Sequence, residues 1–237
     1  MTDGGLLGLE STIERRGLRD HVYERILQLL LSGEAAPGAR LSIDTIARQL
    51  NVSPTPVREA MVQLERTGLV TREALKGYRV APPLGLAQLQ ELFEARIMLE
   101  SRAARLATPA TEEMLDELRV AEETHRRIGE QVITAMRAAT TDVELTTAYF
   151  TADAAFHRVV FAHCGNRYLT EMSESLGAQL HRMRQSAEHG VTDVREAIAE
   201  HEAIVDAFGS GDPDAPEELM RRHIEQVRSR SLDLEQS

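Results

Sequence analysis

With 237 residues, 42% of them hydrophobic, the chain is long enough to bury two ordinary cores, and no run of 18 or more apolar residues offers a membrane span. The single Cys164 excludes a disulfide framework and fits a reducing, cytoplasmic setting. A net charge of −11 looks unsuited to nucleic acid until it is divided: residues 14 to 82 hold eleven Arg/Lys against eight Asp/Glu, and the remainder sixteen against thirty. Only the N-terminal third has the charge to approach a phosphate backbone, and such binding depends steeply on salt.

Met1 to Gly8 lacks a basic n-region and a cleavage pattern, so residues 1–13 are expected to form a disordered lead. From Leu18 to Ser32, Val22, Ile26, Leu29 and Leu30 recur on one face, which predicts a helix closed by Gly33 as a C-cap. Next, Leu41, Ile46, Ala47 and Leu50 keep helical spacing, with Ser42 placed to cap. Asn51-Val52 makes a tight connection to a further helix, which Ser53 can cap. Its first-turn prolines, Pro54 and Pro56, remove N–H groups that would have had no partner. That helix turns Val57, Ala60, Met61 and Leu64 inward and Thr55, Arg58 and Glu59 outward.

Two short helices joined this way, the second opening with small polar residues and an outward Arg, read as a helix-turn-helix whose second helix enters the major groove. Gly68 to Arg72, a turn through Glu73 to Gly77, and Tyr78 to Ala81 read as a β-hairpin, the wing, with Lys76 and Gly77 at its tip. The expected DNA contacts are Arg58 and Thr55, then Ser53, Arg40, Arg48, Lys76 and Gly77. Glu59 more naturally orients Arg58 than reads a base. The bland alternative for Arg58 is an ion pair with Glu59.

Pro82-Pro83 marks the boundary, with residues 82–85 as linker after a winged helix-turn-helix of residues 14–81. Beyond it no strand pattern occurs. Helical periodicity covers roughly 86–107, 111–139, 142–163, 167–188, 191–209 and 213–231. The fold class is therefore mainly α: three helices and a wing, then an antiparallel bundle of about six helices over 86–231, with 232–237 as a tail. Leu92, Phe93, Ile97, Met98 and Leu99 are bulky for one short helix, and part of that surface is a candidate dimer interface.

Asp153 and His157 stand one helical turn apart, while His201 and His223 lie on two later helices beside apolar neighbours. Three imidazoles and one carboxylate converging in a bundle would hold a divalent ion such as Zn²⁺ or Ni²⁺, with positions left open. His125, His163, His181 and His189 carry no such pattern. Glu200 and Glu202 flank His201 but point in other helical directions, so no general base stands out for a metal-dependent hydrolase.

The run Val52-Ser53-Pro54-Thr55-Pro56-Val57-Arg58-Glu59-Ala60, with Pro37-Gly38, Leu64, Gly68-Leu69-Val70 and Gly77, resembles the N-terminal domain of the GntR family of bacterial transcription regulators. Pro54 departs from it, since the family commonly has a DNA-contacting Arg there, and the resemblance then shifts that load to Thr55, Arg58 and the wing. Residues 86–230 resemble the FCD effector-binding domain of the FadR subfamily. There an Asp-x-x-x-His and two later single His residues bind a metal, and Asp153, His157, His201 and His223 fill all four positions. Arg96, Glu100 and Gly165-Asn166 match as well.

About six helices point to the shorter, metal-binding branch rather than the fatty-acyl-CoA branch. The resemblance implies a homodimer on a pseudo-palindromic operator, acting as a repressor released by a small carboxylate. Arg96 and Asn166 would contact that effector, although Asn166 suits a helix cap better. The bland reading of Arg96 is a helical ion pair with Glu100 worth ~0.3–0.5 kcal/mol. A regulator for which the metal itself is the signal is the alternative.

Overall fold

The computed structural model describes residues 9–31, 34–74, 76–140, 143–186 and 193–235, in two compact units that divide between Pro83 and Leu84. The first contains α1 (Leu9–Leu31), β1 (Arg40–Leu41), α2 (Ile43–Gln49), α3 (Pro54–Arg66), β2 (Val70–Glu73) and β3 (Gly77–Val80). Its core is the face predicted for α3, where Val57, Ala60, Met61 and Leu64 have no exposed surface, packed with Val22, Ile26 and Leu30 of α1. Each of these Val, Leu, Ile and Met side chains contributes roughly 1.5–3 kcal/mol by leaving water.

The turn of the helix-turn-helix is set by the end of α2. Asn51 takes φ 54°, a conformation Asn tolerates better than most side chains. This lets Val52 N–H donate to Ala47 O at 2.9 Å and Asn51 N–H to Arg48 O at 3.3 Å, the paired bonds of a Schellman ending. At the other end Ser42 Oγ accepts from Thr45 N–H at 3.3 Å, so the predicted cap forms. Ser53 occupies the N-cap position of α3 with extended backbone, but its side chain makes no cap bond. The two prolines alone start that helix.

Two local expectations are corrected, and a third falls outside the described residues. Helix α1 begins at Leu9, so residues 9–13 of the expected lead are helical; no Gly or Pro interrupts 9–16, and Gly17 alone costs only about 1 kcal/mol in a helix interior. Gly33, the expected C-cap, lies outside the described residues. Leu41 is not the first residue of α2 but sits in β1, opposite Tyr78 of β3. A two-residue strand has no period to read. It is held by Gly38, whose φ of 78° closes the chain back so that Gly38 N–H meets Val80 O and Val80 N–H meets Ala39 O, both at 2.9 Å. The sheet order is therefore β1-β3-β2, antiparallel throughout, with the wing in register from Val70 opposite Val80 to Glu73 opposite Gly77.

The second unit is helical in all its described elements: α4 (Leu86–Leu106), α5 (Glu112–Arg137), α6 (Val143–His163), α7 (Arg167–Ser186), α8 (Val194–Gly209) and α9 (Ala215–Glu235). Helix α4 packs along α9 and α5 along α6, while α8 touches both α5 and α9. Phe93, Leu118, Phe156, Ile204, Met220 and Ile224 form the main core. Leu92 and Phe93 are thus core residues rather than interface candidates, and of the bulky α4 group only Met98 is largely exposed, at 71%.

A smaller cluster of Val132, Tyr149 and Val194 closes one end. Gly129 permits it: a Cβ there would come within 2.8 Å of Ile198 Cδ1 and of Val194 Cγ1. The small residue lets α5 and α8 approach where His125 and His201 face each other.

Candidate metal centre and DNA-binding surface

In the bundle the apolar core gives way to a buried polar cluster. Asp153 and His157 come from α6, His201 from α8, His223 from α9 and His125 from α5, all buried. His201 Nε2 lies 3.3 Å from His223 Nε2 and 3.7 Å from Asp153 Oδ1, which is 3.9 Å from His157 Nε2. The four ligands proposed from spacing therefore converge. The reason is local: i, i+4 spacing puts Asp153 and His157 on one face of α6, and His201 and His223 occupy the buried stripes of their helices.

Outer contacts hold the rings. Glu200 Oε2 accepts from His223 Nδ1 at 2.6 Å, and Arg230 grips the same carboxylate with Nη1 at 2.7 Å and Nη2 at 3.0 Å while its Nε reaches Asp193 at 2.9 Å. Glu100 Oε2 lies 2.6 Å from His157 Nδ1, close but off the line of a good hydrogen bond, and its Oε1 accepts from Arg96 Nε at 2.6 Å. Glu200 thus fastens the Nδ1 side of His223, and Glu100 stands at the Nδ1 side of His157, so that both rings leave Nε2 toward the centre, the arrangement of carboxylate–histidine pairs around metals.

Neither Glu200 nor Arg230 was found from the sequence. Glu200 sits beside His201 but serves His223, a partner 23 residues away on another helix. Glu100 was read as the helical partner of Arg96, which it is, but the pair is buried rather than exposed.

Burial disfavours the charged forms of His201 and His223. Burial pushes His201 well below the usual imidazole range, helped by His223, His157 and His125 around it; burial also lowers His223, only partly offset by Glu200. Burial by itself would raise the Glu100 carboxyl, yet Arg96 and His157 hold it down at about 2. Glu200 is likewise lowered, burial being outweighed by His223 and Arg230.

The donor set fits a divalent ion. Metal–nitrogen bonds of about 2.0–2.1 Å place neighbouring ligands about 3.0–3.4 Å apart, against the 3.3–3.9 Å here, and His157 Nε2 is buried with no hydrogen-bond partner. Arg96 Nη1 is also buried without a partner, an exposed surface of 1% for the whole residue. Asn166 is used elsewhere: its Oδ1 accepts from Tyr168 N–H at 3.1 Å and Leu169 N–H at 3.4 Å, capping α7.

In the first unit Arg40, Arg48, Ser53, Thr55, Arg58, Lys76 and Gly77 are all exposed. Arg58 makes no ion pair with Glu59 or any other described residue. In the wing, Glu73 Oε2 meets Arg79 Nε at 3.1 Å and Lys76 Nζ at 3.8 Å, and the bond from Arg79 above all lowers its carboxyl. Arg79 is held further by Gly38 O at 2.9 Å, whereas exposed Arg72, over the Tyr78 ring at 6.0 Å, is a basic wing residue the sequence reading passed over.

A winged helix-turn-helix with a basic exposed face, followed by an all-α unit around a buried ligand cluster, defines a DNA-binding transcription regulator. Residues 18–80 match the bacterial regulatory proteins of the gntR family and residues 91–226 match the FCD domain; the chain belongs to the GntR family with an FCD domain. It is similar to the HTH-type transcriptional regulator BphR of Paraburkholderia xenovorans, 28% identical over 89% of this chain and 83% of that one. It is also similar to the HTH-type transcriptional repressor GlaR of Escherichia coli, 26% identical over 85% and 90%. The fold superposes on McbR of E. coli with a TM-score of 0.74, at 23% identity over 91% of this chain and 97% of the other. These relatives are transcriptional regulators, not enzymes, and among the described residues no helix is long and apolar enough to cross a membrane.

Proposed function

We propose that this regulator is a repressor whose operator affinity is controlled by a small carboxylate bound beside a divalent ion, Zn²⁺ or Ni²⁺, in the FCD domain. The observation that carries the reading is the buried convergence of Asp153, His157, His201 and His223 with Arg96 Nη1 left without a partner nearby in the network. Those four residues would hold the ion, which supplies a Lewis-acid contact for a carboxylate oxygen. Arg96 offers a charged N–H to the same anion, already aligned by Glu100.

Arg96 and Glu100 lie on α4, the first helix after the Pro82-Pro83 segment, so an acid bound there acts on the element that follows the DNA-binding unit. It shifts DNA affinity only as far as it binds the two states of a homodimer differently. On a pseudo-palindromic operator, Arg58, Thr55 and the Ser53 hydroxyl, not used for capping, face the groove, with Arg40, Arg48 and the wing tip at Lys76-Gly77 on phosphates.

The test uses fluorescence anisotropy with a duplex selected from random sequence by the purified full-length protein. A panel of hydroxy-, keto- and dicarboxylates is titrated into metal-replete and chelator-treated protein. An acid that releases DNA only from the metal-replete form supports the reading. Release by metal alone, with no acid effective, makes the ion itself the signal and overturns the acid.

A further inference from the structure

Four imidazoles, not three, surround the Asp153 carboxylate. His125 of α5 has no exposed surface, and its Nε2 lies 4.0 Å from Asp153 Oδ1. That oxygen is 3.7 Å from His201 Nε2 and 3.9 Å from His157 Nε2, so three imidazole nitrogens stand at nearly one distance from it. The His125 ring also faces the His201 ring at 4.6 Å and 40°, with Tyr149 closing its other side at 4.7 Å. Two sets of three donors, each within 4.8 Å, result: His157, His201 and His223, and His125, Asp153 and His201. His201 belongs to both.

We propose that His125 is a further metal ligand, so that the centre draws on five protein donors, four imidazoles and one carboxylate. The inference rests on the reading of the cluster as a metal site. An ion bound through Asp153 Oδ1 and His201 Nε2 lies between the two sets, and donors on opposite sides of a six-coordinate ion stand about 4.2 Å apart when bonds are about 2.1 Å. One imidazole can stand opposite the Asp153 oxygen at nearly its present span, and the other two must close by roughly 1 Å to reach adjacent positions about 3.0 Å away.

Gly129, one turn after His125 on α5, supports the placement, because a Cβ there would stand 2.8 Å from the Ile198 and Val194 side chains of α8, so its absence allows the close packing of α5 on α8. The consequence for the ligand is specific. Five protein donors leave a six-coordinate ion one open position, so the effector binds it through a single oxygen, and its other polar groups fall to Arg96. Nitrogen-rich ligation also favours Ni²⁺, Co²⁺ or Zn²⁺ over Mg²⁺ or Mn²⁺.

The test counts ligands directly. In protein loaded with Co²⁺, each ligating imidazole gives one strongly shifted, exchangeable ring N–H proton resonance, and burial slows exchange enough to see it. The wild type is expected to show four such signals, and His125→Gln three, with Co²⁺ still bound and the far-ultraviolet circular dichroism unchanged. Three signals in the wild type overturn the role of His125 while leaving the metal centre intact. Protein that takes up no Co²⁺ overturns this inference together with the metal reading beneath it. The wild-type count decides the matter even if His125→Gln does not fold.

Discussion

Glu200 is the residue through which the metal reading is most sharply exposed to test. Its Oε2 accepts the Nδ1 proton of His223 at 2.6 Å while both of its oxygens accept from Arg230 at 2.7 and 3.0 Å. In Glu200→Gln the amide keeps the shape but has one oxygen and one NH₂. Arg230 only donates, so it claims the oxygen, and the NH₂ turns to His223. The ring must then accept at Nδ1 and carry its proton on Nε2, the nitrogen that faces the centre.

Outer-contact losses of this kind cost about 10–100-fold in metal affinity, which is about 1.4–2.7 kcal/mol. Zn²⁺ affinity measured by competition with a chromophoric chelator is expected to fall by that factor, with DNA binding of the metal-free protein unchanged. An affinity within about threefold of wild type would refute the tautomer argument. It would also reduce Glu200 to a structural partner of Arg230.

Other outcomes follow from the same structure. Arg58→Ala is expected to weaken operator binding and lower its salt dependence, read by anisotropy at several salt concentrations, with the sedimentation profile unchanged; intact binding would remove Arg58 from the interface. Gly129→Ala gains about 1 kcal/mol of helix propensity but sets a methyl 2.8 Å from Ile198 and Val194, an overpacking that costs about 1–3 kcal/mol, so a net loss of up to about 2 kcal/mol is expected in urea unfolding. Ser42→Ala removes the cap on Thr45 N–H and is expected to cost about 1 kcal/mol in the DNA-binding unit, followed by amide exchange in α2.

Much of this was legible in the sequence because it is periodic or locally capped. The α3 face of Val57, Ala60, Met61 and Leu64 reads at a glance, as do the helices of the bundle, since long amphipathic segments end at visible Gly, Pro and Thr signals. Asp153 and His157 were legible as an i, i+4 pair. What could not be read depends on which helices become neighbours: Glu200 with His223, Arg230 with both Glu200 and Asp193, and His125 against His201.

His125 did carry a signal, since it shares the buried stripe of α5 with Leu118, Gly129 and Val132, a place where a titratable side chain needs a reason. The two-residue strand β1 escaped for the opposite reason, being too short to show a period. The expected lead failed at 9–13 because Leu9-Glu10-Ser11-Thr12-Ile13, free of Gly and Pro, is as compatible with helix as with coil.

The most direct measurement is the metal content of the purified full-length protein by inductively coupled plasma mass spectrometry, wild type beside His201→Ala. His201 is chosen because it belongs to both donor sets. About one divalent ion per chain is expected in the wild type, removable by chelator and restored by Zn²⁺ or Ni²⁺, and little or none in the variant. Wild-type protein that neither carries nor takes up an ion, or a His201→Ala variant that keeps it fully, would contradict the claim that this buried cluster is a metal centre.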